Sequence, residues 1–110
     1  MTIREQIKTL QEEVKGDLET WRAAEILNEL SALLGNVNEA LIQRQMEYNL
    51  KLAELMEGET VAKARVKADT TDEYRLLLEV KATRELTIEM MRAMKYTIKS
   101  RIEEFKEARY

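Results

Sequence analysis

Ile3, Ile7, Leu10 and Val14 recur at spacings of four, three and four residues, which is one face of a helix. Thr2-Ile3-Arg4-Glu5 precedes that stripe as a capping box, a hydroxyl at the N-cap with a glutamate three positions on. Gly16 marks the stop, where a left-handed residue costs least, and Asp17 is placed to cap the next helix. Leu18, Trp21, Ile26, Leu27, Leu30, Leu33 and Leu34 then carry a second helical pattern that stops at Gly35-Asn36. Asn36 or Asn38 reopens it through Val37, Ala40, Leu41, Tyr48, Leu52 and Leu55, ending near Gly58. The interruptions at 16 and 35 fit either turns between packed helices or kinks.

The pattern changes at "TVAKARVKAD", residues 60–69. Ala62, Ala64, Val66 and Ala68 alternate with Lys63, Arg65 and Lys67, a period of two. A strand over 61–68 would put the three cations on one side, about 6.6–6.8 Å apart, close to the phosphate spacing along one nucleic-acid strand. A helix would spread them around its surface.

Thr70-Thr71-Asp72-Glu73 reads as a second capping box, and the helical pattern then runs almost to the C-terminus. Leu77, Met91, Ile98 and Phe105 share one seven-residue ladder, with Val80 and Met94 on the next. This predicts a helix of roughly 35 residues, near 50 Å at 1.5 Å per residue. Arg84, Thr87 and Arg101 interrupt the apolar ladders, which argues against an uninterrupted two-stranded coiled coil. The expected fold is mainly α: one helical domain over 1–110, a long C-terminal helix and a short strand near 61–68. Met91, Met94, Ile98, Ile102 and Phe105 give that helix more apolar surface than a small domain is expected to cover, so the protomer is expected to pack against copies of itself.

Composition agrees with long helices: no proline, three glycines and 35% charged residues. It also narrows the chemistry. Without histidine or cysteine, the common nucleophile–base pairs and zinc ligand sets are missing, and no glycine-rich phosphate loop is present. Glu12-Glu13 and Glu103-Glu104 are adjacent pairs that diverge around a helix, while Glu85 and Glu89 share a face that reads most simply as solvated surface. Neither an enzyme, a cofactor nor a metal is expected. No apolar run approaches the roughly 20 residues of a membrane span, and Arg4 and Glu5 fall where a leader's apolar core would begin, so a cytoplasmic setting is expected.

Charge is unevenly placed. Residues 1–60 hold 6 basic and 12 acidic side chains, and residues 61–110 hold 12 and 9, giving −6 and +3 in a chain of net −3. Two basic features lie in the second half. One is Lys63, Arg65 and Lys67. The other is "MMRAMKYTIKSR", residues 90–101, where Arg92, Lys95, Tyr96 and Lys99 sit at i, i+3, i+4 and i+7 on one helical face, with Arg101 just beyond. Cations with a ring among them suit a single strand of nucleic acid: charge tracks the backbone and the ring stacks on a base. A solvated face with Tyr96 at its rim accounts for the same residues.

Three stretches together resemble the phage recombination mediator proteins of the UvsY type: "LQEEVKGD" (10–17), "ARVKADTTDEYR" (64–75) and "YTIKSR" (96–101). They cover about a quarter of the chain, and between residues 55 and 62 this chain is shorter than the family. The resemblance implies a small helical protein that assembles into a homo-oligomeric ring and binds single-stranded DNA. It would help load a recombinase onto DNA covered by single-strand-binding protein. If phage-encoded, it would act in the host cytoplasm. The basic positions that match are Lys67, Lys99 and Arg101; Lys63, Arg65, Arg92, Lys95 and Tyr96 join them on charge and facing. The alternative is a structural or assembly protein, a scaffold, chaperone-like oligomer or adaptor without DNA binding. It accounts for the long helix but gives no reason for the basic patches.

Overall fold

The computed structural model describes residues 1–108. Four helices follow in order: α1 (Ile3–Val14), α2 (Thr20–Leu55), α3 (Val61–Ala68) and α4 (Asp72–Ala108). The expected all-α architecture and long C-terminal helix are found. Among the described residues there is no strand.

α1 begins at the expected capping box: the Thr2 side chain accepts from the Glu5 amide at 3.1 Å, and Glu5 accepts from the Thr2 amide at 3.3 Å. Its end differs from expectation. Lys15 caps it in right-handed geometry, and Gly16 does not adopt positive φ. Asp17 does not open α2, which starts at Thr20.

The break expected at Gly35-Asn36 does not exist. α2 runs unbroken for 36 residues, and neither Asn36 nor Asn38 reopens it. A glycine inside a helix costs about 1 kcal/mol. Leu30, Leu33 and Val37 are all buried on either side of it, and burying one such side chain is worth roughly 1.5–3 kcal/mol. The packing outweighs the glycine.

α4 starts one residue later than its expected box. Thr71 is the cap: its hydroxyl accepts from the Tyr74 amide at 3.4 Å and its carbonyl from the Arg75 amide at 3.2 Å. The Thr70 hydroxyl donates instead to the Lys67 carbonyl at 2.7 Å.

The chain forms two compact units: Met1–Asn36 with the chain from Glu85 onward, and Val37–Arg84. In the first, the buried residues are Ile7 and Leu10 of α1, Ala23, Ile26, Leu30 and Leu33 of α2, and Thr87, Met90 and Met94 of α4. A half-buried fork ties α1 to α2: Arg22 Nη2 donates to Glu13 Oε1 at 2.7 Å, and its Nε donates to the other carboxylate oxygen. Arg22 Nη1 also reaches Glu29 at 3.1 Å. This bidentate pairing holds the Glu13 carboxyl below its ordinary value and pushes the Arg22 guanidinium up. In the second unit the buried residues are Val37, Ala64, Ala68, Leu77 and Thr83. Arg84, which interrupts the apolar ladder, donates its Nε to Asn38 Oδ1 at 2.9 Å.

Gly35 has open space where a Cβ would stand, whereas Gly58 has φ +79°. Gly35→Ala is therefore expected to stabilise the protein by about 0.5–1 kcal/mol. Gly58→Ala is expected to destabilise it by about 1 kcal/mol. Urea denaturation of both variants gives the two signs.

The Glu13–Arg22 fork sets an acid limb. Because the folded pKa of Glu13 lies below its ordinary value, its contribution is present above that value and is lost as pH falls through the lower folded one. Denaturation midpoints followed from pH 6 down to about pH 3 should fall more steeply for the wild type than for Glu13→Gln.

Candidate nucleic-acid interface

Residues 61–68 are helix, and the strand expectation for Lys63, Arg65 and Lys67 is wrong. The Thr60 hydroxyl caps α3 by accepting from the Lys63 amide at 3.4 Å, and Asp69 closes it. Three alanines among eight residues favour helix. Burial follows the helical period: Ala64 and Ala68, four apart, are both 0% exposed, while Val66 is 70% exposed. A strand would have put all three on one face. Lys63, Arg65 and Lys67 are exposed, but Arg65 points about 200° away from Lys63 around the helix. Lys67 is held by Glu59. The three cations do not form a row.

The far end of α3 is fixed to α2. The Tyr48 hydroxyl donates to Asp69 Oδ1 at 2.8 Å, and the Tyr48 and Tyr74 rings lie 5.5 Å apart, tilted by 43°. The carboxylate raises the Tyr48 phenol above its usual value, with burial adding to the rise.

The second basic feature keeps its expected geometry. Arg92, Lys95, Tyr96 and Lys99 lie on α4 and are all exposed, Tyr96 at 73%. Among the described residues none of the three cations pairs with a carboxylate. The patch spans roughly 10 Å of helix, with Glu89 and Glu103 on the same side at its two ends. Opposite to it, toward the core, Met94 is buried.

Arg101 does not join this face. It projects about 200° away from Lys99, and its Nη2 meets Asp17 Oδ1 at 2.9 Å. Of the eight expected residues, four are brought together, and Lys63, Arg65, Lys67 and Arg101 are not among them.

Lys95 and Lys99 also border a shallow groove with Leu27 of α2 and Ile98, Ile102 and Lys106 of α4. Lys106 was outside the sequence reading; its seven-residue offset from Lys99 is the signal that places it there. Among the described residues no group of three acidic side chains is placed to hold a metal ion. Nor is any helix among them long and apolar enough to cross a membrane.

The Tyr48 bond yields an alkaline limb. A phenol whose folded pKa is raised contributes stability below its ordinary value of 10 and loses it as pH rises through the higher folded value. Tyr48→Phe should cost about 0.5–1.5 kcal/mol at pH 7 and flatten the fall in stability above pH 10, read from urea midpoints at pH 7 to 11.

No protein-family model, curated protein or solved structure matches this chain.

Proposed function

We propose that this protein is a recombination mediator that binds single-stranded DNA through the Arg92–Lys95–Tyr96–Lys99 face of α4 and helps load a recombinase. The observation that carries the reading is this face itself: three cations without a carboxylate partner among the described residues and a wet aromatic ring, gathered on one helix of a net-acidic chain. Backbone phosphates supply most of the affinity for such a surface, and ring stacking adds to it without reading sequence. The recombinase and the single-strand-binding protein enter through the resemblance alone. Lys63, Arg65 and Lys67 take no part in the proposed surface. Arg101, paired with Asp17 on another side of α4, takes none either.

Fluorescence anisotropy with a labelled oligonucleotide across a salt series tests this. Affinity should fall with salt at a log–log slope of about −0.7 per phosphate neutralised, so about −2 for three cations. Lys99→Ala should weaken binding and flatten the slope by about 0.7. Arg101→Ala should do less than Lys99→Ala, because Arg101 points away from this face. Tyr96→Ala should cost about 1–3 kcal/mol with the slope nearly intact. Absence of binding at low salt would overturn the reading in favour of a structural or adaptor protein.

A further inference from the structure

Beside the cation face of α4 runs the shallow groove that the contacts proposed above leave unused. Its apolar lining is Leu27 of α2 with Ile98 and Ile102 of α4; Leu27 and Ile98 are half-buried, and Ile102 is 46% exposed. Lys95, Lys99 and Lys106 border it, all three exposed and, among the described residues, without a carboxylate partner. One acid joins them: Glu103, exposed and likewise without an ion-pair partner among the described residues. Three lysines against one carboxylate leave the rim net positive, so the chemistry that fits the groove is an anion with an apolar part.

The groove is continuous with the α4 face, because Lys95 and Lys99 belong to both. Lys106 lies seven residues beyond Lys99, and Lys99 seven beyond Arg92. A seven-residue repeat drifts by only about 20° on a straight helix, so these three cations stand in one row about 21 Å long. Tyr96 and Ile102, three residues before and three after Lys99, point about 60° to either side of that row. A strand whose phosphates follow the row therefore has the ring on one flank and the aliphatic groove on the other.

A nucleotide meets both demands of the groove. Its phosphate is the anion, and the face of its base is apolar surface left in water when the strand is unpaired. In a duplex the bases are stacked inside and only their edges reach the grooves. We infer that the groove is a base-binding subsite. A single strand lying along Arg92, Lys99 and Lys106 turns a base onto Leu27, Ile98 and Ile102, and Lys106 takes a further phosphate. The covered base face makes the site prefer single strands over duplex. This inference rests on the reading of the α4 face as the DNA surface and adds the contact that sets its strand preference.

Glu103 has a definite effect in this arrangement. It stands one turn from both Lys99 and Lys106, beside the path of the phosphates, and repels them. Its neighbour Glu104 points about 100° further round the helix, where it borders a separate hollow with Thr20 and Phe105. The two carboxylates carry the same charge and differ in facing, so they separate an effect of the groove from an effect of net charge.

Anisotropy titrations of the full chain with a labelled oligothymidylate, an abasic strand and a duplex of the same length test this. The wild type should bind oligothymidylate most tightly, with a salt slope of about −2.8 for four cations instead of about −2 for three, and Lys106→Ala should return it to about −2. Ile102→Ser, at an exposed position, should keep the helical circular-dichroism spectrum. It should weaken oligothymidylate binding about fivefold with the slope intact, and leave binding of the duplex and of the abasic strand unchanged. Glu103→Gln should tighten binding, and Glu104→Gln should not. If the wild type binds oligothymidylate but Lys106→Ala keeps its slope and Ile102→Ser its strand preference, the inference is overturned while the α4 face stands, and the groove then takes some other anion. If the wild type binds no DNA at low salt, the DNA reading falls and the inference falls with it.

Discussion

A helix of 36 or 37 residues persists in water only where one side of it is covered, because most helical stability in proteins comes from packing an amphipathic face. Both long helices of this protein meet that condition within the protomer, and the other features follow. α2 could not offer enough surface if it ended at Gly35. Because it continues, each compact unit contains a stretch of α2 and a stretch of α4. Leu77, Thr87, Met90 and Met94 are buried as a result. Cover thins toward the end of α4, where Ile102 and Phe105 are exposed. Of the stripe that suggested burial between copies, Met94 is covered within one chain, while Ile102 and Phe105 stay open.

The parts legible in the sequence were those where several local signals agreed. The start of α1 combined a capping box with a clean stripe. The length of α4 rested on ladders that repeat over many turns. Once α4 was certain, the common facing of Arg92, Lys95, Tyr96 and Lys99 followed from spacing alone. The misreadings occurred where one signal stood by itself. Alternation over residues 62–68 looked like a strand, but alanine fits both periods, and only burial of Ala64 and Ala68 decides between them. Gly35 looked like a stop because its local cost is visible in sequence while the packing on either side is not. Arg101 looked available because its partner Asp17 lies 84 residues away. Ile42, Met46 and Leu50 stand in the sequence at helical spacing, yet Leu41, Leu52 and Leu55 flank them, and the sequence does not say which side faces in.

Electrostatically, the cations divide by neighbourhood. Lys15–Glu12, Arg44–Glu47, Lys51–Glu54 and Arg75–Asp72 are pairs between residues three apart on one helix. Each adds little to stability, since exposed pairs are worth about 0–1 kcal/mol. Their larger effect is to remove those cations from competition for an external anion. Among the described residues, Arg92, Lys95 and Lys99 on α4 stay outside such pairs, so a chain that is acidic in bulk still presents a locally attractive surface there. Attraction of this kind acts over roughly 8 Å at physiological salt, which lets a local patch prevail over the sign of the whole.

The turn between α2 and α3 has a different significance. Met56, Glu57 and Gly58 are exposed, and Gly58 holds the left-handed conformation that ends the helix. Chain inserted there would lie at the surface, with no buried backbone to satisfy. Lengthening a flexible connection is also cheap: each doubling costs about 0.6 kcal/mol. The join can therefore lengthen while the helices on either side keep their lengths, and a reporter peptide or a second binding module could be spliced in at the same place.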